Sequence, residues 1–88
     1  MSLTIDTITQ ELTAFISGNI VAPGVTLTPD TVLGNLGVDS FSVIEIVLFI
    51  ERKFGIVIPD DQLTPENISS VASLARCTYN LSSGISGN

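Results

Sequence analysis

Ser40 is the residue best placed to do chemistry in this chain. It follows Asp39 and opens the segment Ser40-Phe41-Ser42-Val43-Ile44-Glu45, where an acid, a hydroxyl and the start of an apolar-periodic run coincide. A hydroxyl in that place can cap a helix, attack as a nucleophile, or carry a covalent substituent. Nucleophilic attack needs a neighbouring base. The sequence contains no histidine, which leaves Lys53 or a carboxylate for that role and argues against it. Capping needs nothing more than a helix start, where serine is common. A substituent is favoured if it is anionic, because the first N–H groups of a helix lack intrahelical partners and the macrodipole attracts negative charge. A phosphodiester on Ser40 would sit in that field. From the residues alone, capping and attachment both stand.

The other reactive side chains carry less. Cys77 is the single cysteine, so no internal disulfide forms; it reads as a small apolar filler, with Arg76 the one cation close to it in sequence. Asp60, Asp61 and Glu66 match no standard calcium-loop spacing and read as a solvated acidic face, so no metal site is predicted. Nine acids against three bases give a formal charge of −6, which disfavours nucleic acid and favours partners that present Lys and Arg. The N-terminal residues lack the basic start and apolar run of a secretion signal, and no stretch is long enough to span a membrane. A reducing, cytoplasmic location and a monomer without membrane insertion are expected.

Positioning Ser40 requires a bundle. Ile5, Ile8, Leu12, Phe15 and Ile16 recur at helical spacing, with Thr4 as N-cap, a staple between Leu3 and Ile8, and Gly18 as the stop, which predicts a helix over residues 5–17. A long connection follows, rich in Gly and Pro yet also apolar through Ile20, Val21, Val25, Leu27, Val32, Leu33 and Leu36, and is expected to pack onto the core. Within it Thr28-Pro29-Asp30 signals a helical turn closed at Gly34. The second helix is expected over residues 40–54, between Asp39 as N-cap and Gly55 as stop. Thr64-Pro65-Glu66 should open a very short third helix. A last helix should begin after Ser69 or Ser70 with Val71, Leu74, Ala75 and Thr78 inward. The fold class is all-α: three main helices, one short helix and a long structured first loop. Residues 1–80 form one domain, and 81–88, rich in Ser and Gly, form a flexible tail.

The second helix has more apolar surface than one core needs. At about 100° per residue, Val43, Ile46, Val47, Ile50 and Phe54 share one arc. Phe41, Ile44 and Leu48 fall outside it, beside the face of Ser40. Either the long loop covers this second strip or a partner docks on it, and docking is the favoured reading. Phe49 lies near the opposite, polar side, as a partner contact or a residue under the loop.

Leu36-Gly37-Val38-Asp39-Ser40-Phe41 resembles the attachment motif of the acyl carrier protein family, usually Leu-Gly-x-Asp-Ser followed by an apolar residue. Phe54-Gly55 at the end of the helix, Ile58-Pro59-Asp60 after it, and the segment from Thr64 to Leu74 extend the resemblance over most of residues 5–79. It implies that a phosphopantetheinyl transferase, using coenzyme A and Mg²⁺, attaches 4′-phosphopantetheine to Ser40, with Asp39 as part of the motif. It implies no catalytic residue, since the chain would carry cargo as a thioester for an acyl- or aminoacyl-loading ligase and for downstream acyl-processing enzymes. Phe41, Ile44, Glu45, Leu48 and Glu51 would be the partner-binding residues. Ser42, Arg52 and Lys53 depart from the acidic second helix usual in primary fatty-acid synthesis, and Phe41 replaces the usual leucine. A specialised, free-standing carrier of a lipid or secondary-metabolite pathway is therefore expected. Aminoacyl or peptidyl cargo, or an unmodified interaction module, are the alternatives.

Overall fold

The computed structural model describes residues 3–82. Its first helix, α1, spans Ile5–Asn19 and starts where Thr4 stops the extended chain: the Thr7 N–H donates to Thr4 Oγ1 at 3.1 Å. Ile8, Leu12 and Ile16 are fully buried along one line of the helix. The expected stop at Gly18 is not used, because its φ is not positive and the helix continues through it. Instead Ile20 and Val21 both donate to the Ile16 carbonyl, at 3.0 and 3.1 Å, as the chain turns Val21 into the core. Packing of these two apolar residues against the core ends the helix without a left-handed cap.

The first loop packs as expected through Val21 and Leu33, which are buried, and Ile20, Leu27 and Leu36, which are half-buried; Val25 and Val32 stay exposed. Its helical turn is shorter than expected. Thr31 N–H bonds the Thr28 carbonyl at 3.1 Å and the turn closes there. A 3-10 helix over Leu33–Leu36 then runs through Gly34, the residue expected to end the turn. The interruption has a cause: Leu33 enters the core while its N–H is held by the Ser69 carbonyl at 2.9 Å. A second tie, from Ala72 N–H to the Pro29 carbonyl at 2.9 Å, joins the same two regions.

The second helix, α2, spans Ser40–Phe54 between Asp39 and Gly55, as the sequence predicts; Gly55 takes φ 71° and donates to the Glu51 carbonyl at 2.9 Å. Ile46 and Ile50 are fully buried and Val43, Val47 and Phe54 half-buried. Ile56, Val57 and Ile58 belong to no helix or strand, with Ile58 buried and Val57 out in solvent. A 3-10 helix occupies Asp60–Gln62.

No short helix grows from Thr64. The cap forms, with Asn67 N–H on Thr64 Oγ1 at 3.2 Å and Ile68 N–H on the Thr64 carbonyl at 3.1 Å, but one turn exhausts it. Ser69 is already committed to the first loop, and Ser70 starts the next helix. That helix, α3, spans Val71–Ser82, and a reciprocal pair opens it: Ser73 N–H to Ser70 Oγ at 3.2 Å and Ser70 N–H to Ser73 Oγ at 3.0 Å. Val71, Leu74, Ala75 and Thr78 are buried as predicted, together with Cys77. Thr78 spends its hydroxyl on the Leu74 carbonyl at 2.8 Å. Burial pushes the Cys77 thiol above its ordinary pKa, as suits a filler. Because α3 includes Leu81 and Ser82, the boundary expected after residue 80 falls inside a helix; residues 83–88 of the expected tail lie outside the described residues.

Among the described residues three α-helices and two 3-10 helices thus enclose one core, with α1 packed chiefly on α3 and less on α2. Among the described residues no helix is long and apolar enough to cross a membrane.

Candidate functional site

The site is built by a chain reversal followed at once by a helix start. At the end of the 3-10 helix Gly37 adopts φ 84°, a left-handed conformation that glycine takes without the steric cost of a Cβ. Val38 N–H returns to the Leu33 carbonyl and Gly37 N–H to that of Gly34, both at 3.3 Å, a Schellman arrangement. Leu36 and Val38 on either side of the glycine pack against the core. The motif therefore has a mechanical reading: two apolar anchors flank a reversal that delivers Asp39 and Ser40 to the surface.

Asp39, not Ser40, caps α2. Its Oδ1 accepts from the Ser42 N–H at 3.0 Å. The Ser42 backbone bond, then its side chain, holds the Asp39 carboxyl below the ordinary carboxylate range. Ser40 is exposed, and among the described residues no hydrogen bond engages its hydroxyl. This separates the two roles that the sequence left open: the cap is taken by one residue, and the hydroxyl of the next is free.

The depressed carboxyl has a consequence for pH. A group whose folded pKa lies below its unfolded value lends stability above the unfolded pKa and withdraws it as pH falls through the folded one. Stability should therefore decline as pH drops into the carboxylate range. Asp39→Asn, which still caps but cannot titrate, should flatten that part of the profile in urea unfolding measured across acid pH. An unchanged acid profile would mean that Asp39 plays no part in it.

The expected partner residues are all at the surface. Phe41 is 80% exposed, Ile44 55% and Leu48 49%, and Glu45 and Glu51 are exposed beside them. The first loop does not cover this strip. Phe49 does not stand apart on the polar side but is half-buried against the core. It stacks on Phe15 of α1, centroids 4.3 Å apart at 12°, and meets the edge of Phe54 at 6.3 Å and 82°. Beside Ser40, an open depression of about 450 Å³ is lined by Val38, Asp39, Ser40, Val43, Ile44, Leu63 and Ile68. Leu63 and Ile68 were not singled out from the sequence, since they lie in a stretch without periodicity.

Comparison with known proteins agrees with this geometry. Residues 10–78 match the family described as a phosphopantetheine attachment site. An acyl carrier protein of Helicobacter pylori is 32% identical over 68 residues, covering 76% of this chain and 85% of the relative. Aminoacyl carrier protein 2 of Bradyrhizobium diazoefficiens is 35% identical over 52 residues, covering 59% of this chain but 58% of the relative, under two thirds of its length. Among solved structures, that of the Bradyrhizobium japonicum glycine:[carrier protein] ligase complexed with glycylated carrier protein contains a similar chain. The match has a TM-score of 0.65 and 29% identity, covering 83% of this chain and 96% of that one.

Proposed function

From the premise that this chain belongs to the phosphopantetheine attachment-site family, the carrier proteins, we propose that Ser40 holds the arm and presents an acyl intermediate as a thioester to the enzymes of a lipid or secondary-metabolite pathway. The observation that carries the assignment is the exposed, unengaged Ser40 hydroxyl on a helix whose cap is supplied by Asp39.

The covalent cofactor of the family is 4′-phosphopantetheine, and the residues around Ser40 fit it. The N-terminus of a 15-residue helix suits a phosphodiester, and the apolar depression formed by Val43, Ile44, Leu63 and Ile68 suits the uncharged part of an arm. Ser40 would hold the group through its oxygen, in a phosphodiester made as a pyrophosphate P–O bond of coenzyme A is broken, with adenosine 3′,5′-bisphosphate as the leaving group and the hydroxyl proton lost to the transferase. The bound arm supplies a thiol for thioester chemistry. The chain itself orients Ser40 and offers α2 as a handle, while catalysis belongs to its partners.

A second cargo, an aminoacyl group, is favoured by the glycylated carrier protein in the similar structure and by the mixed charge of α2, where Arg52 and Lys53 sit among the acids. Intact-mass analysis of the holo-protein isolated from its own host separates the two. A fatty or ketoacyl increment supports the acyl reading, and an amino-acid increment replaces it with the aminoacyl one. A chain that is never loaded leaves an interaction module.

Exposure of Leu48 makes the docking strip testable. Leu48→Glu should change stability by no more than about 0.5 kcal/mol, since the side chain is at the surface. The same change should slow thioester loading by a partner ligase on the order of tenfold, by placing a charge in an apolar contact. Loss of the helical circular dichroism signal would instead assign Leu48 to the core.

A further inference from the structure

The segment between the second 3-10 helix and α3 separates two cavities. Leu63 and Ile68 line the depression of about 450 Å³ beside Ser40. Their chain neighbours Gln62 and Asn67 line a polar cavity of about 80 Å³ on the other side, with Cys77 of α3 in its wall. The apolar member of each pair thus faces the attachment site, and the polar member faces away from it. Residues 63–70 belong to no helix, so no helical ladder holds this partition. Each half has its own anchor. On the Leu63 side, the Gln62 and Leu63 N–H groups donate to the Pro59 and Asp60 carbonyls at 2.9 and 3.1 Å. On the Ile68 side, the Ser69 carbonyl holds Leu33. The half-buried Asn67 side chain joins the two: its Nδ2 donates to the Gln62 carbonyl at 2.7 Å, across five residues. A carbonyl only accepts, so the amide group must present its nitrogen there.

Resting on the carrier reading, we infer that Asn67 is a positioning residue for the arm: its side-chain bond pins Leu63 and Ile68 together as one wall of the depression that Ser40 opens into. The two residues that bond, Gln62 and Asn67, each stand one place before a wall residue, so the bond sets the spacing of the wall directly. With it made, the loop 62–67 is a closed unit. Without it, the Leu63 half hangs on a single 3-10 turn, which has poor hydrogen-bond geometry and little stability of its own. Removing the donor also strips this partner from the Gln62 carbonyl, a cost the loop escapes by turning that carbonyl out to water. Leu63 and Ile68 then separate, and the polar cavity opens toward the depression. An arm whose uncharged part rests on both residues loses half of its seat.

Cys77 gives a readout that needs no arm, being the sole thiol of the apo-protein. Labelling of full-length apo-Asn67→Ala by a chromogenic disulfide reagent should run about fivefold faster than in the parent, the factor that loss of one ordinary hydrogen bond gives a local opening. The increase should be flat in low urea, because a local opening exposes little surface. Asn67→Asp has nearly the same shape but brings an oxygen to the carbonyl, and should match the alanine variant. Ile8→Val, a core change in α1, should raise labelling only along a urea-dependent route. In the holo-protein, nuclear Overhauser contacts are expected from the geminal methyls of the pantetheine arm to Leu63 and Ile68. They should fall to about half or less in Asn67→Ala, while the apo-to-holo shift of the Phe41 amide persists. Contacts of full strength in Asn67→Ala overturn the inference. So do unchanged or merely urea-dependent labelling of Cys77, a parent-like Asn67→Asp, an equal loss of contacts in Ile8→Val, and a holo parent without such contacts. A parent that takes no arm by intact mass removes the carrier reading and this inference together, whereas a loaded parent with an indifferent Asn67→Ala removes only the inference.

Discussion

Ser40→Ala is expected to remain at its unmodified mass after prolonged incubation with transferase and coenzyme A, while the parent chain gains one phosphopantetheine. The loss is complete rather than graded, because the substitution removes the oxygen that forms the phosphodiester. It should also be clean. Ser40 is exposed and α2 is capped by Asp39, so the alanine variant keeps its cap and its helix. Surface changes of this kind stay within about 0.5 kcal/mol. Circular dichroism and urea unfolding of Ser40→Ala should therefore overlay the parent. An adduct that persists in the alanine variant would place attachment on another hydroxyl and end the assignment.

The second large effect is on stability. Ile50 is fully buried on the inner face of α2, in the core cluster that also holds Ile8, Leu12 and Ile16 of α1 and Val71 and Leu74 of α3. Truncating such a side chain to alanine costs about 2–5 kcal/mol. A domain of this size has about 5–15 kcal/mol in total at best, and each kcal/mol moves Tm by about 4–8 °C. Ile50→Ala should accordingly lower Tm by at least about 8 °C, and the unfolding midpoint in urea should fall with it. Val57→Ala is the control: Val57 is exposed beyond the end of the same helix and should cost little. Equal midpoints for the two variants would show that α2 does not pack as described.

What was legible in the sequence follows how local each signal is. Both ends of α2 could be read because both are fixed by single residues, an aspartate whose carboxylate reaches the third amide and a glycine in the left-handed region. The outward strip of Phe41, Ile44 and Leu48 was legible because helical angle is simple arithmetic. The end of α1 was not. Gly18 looked like a stop, but the decision lay with Ile20 and Val21 and the core they enter. The short helix expected from Thr64 failed for the same reason: its cap formed, and the continuation was pre-empted by a bond from Ser69 to a distant loop. Phe49 shows the limit most clearly. Its angle on α2 placed it among polar neighbours, yet α1 covers that flank and presents Phe15 to it. A helix flanked on two sides buries a wider arc than a single core arc suggests.

The paired ties between the first loop and the start of α3 have a bearing on how the serine is held. Leu33 bonds Ser69 and Ala72 bonds Pro29, so the chain between these contacts is closed into a ring, and Ser40 stands inside it. Closing a ring of about forty residues costs entropy that is recovered only when both ends are in place. The clasp should consequently open with the whole domain rather than by fraying, which would make the Leu33 and Ala72 amides among the slowest to exchange with deuterium. Ser40 should thereby keep its position through local melting elsewhere, a rigid mooring for whatever it carries.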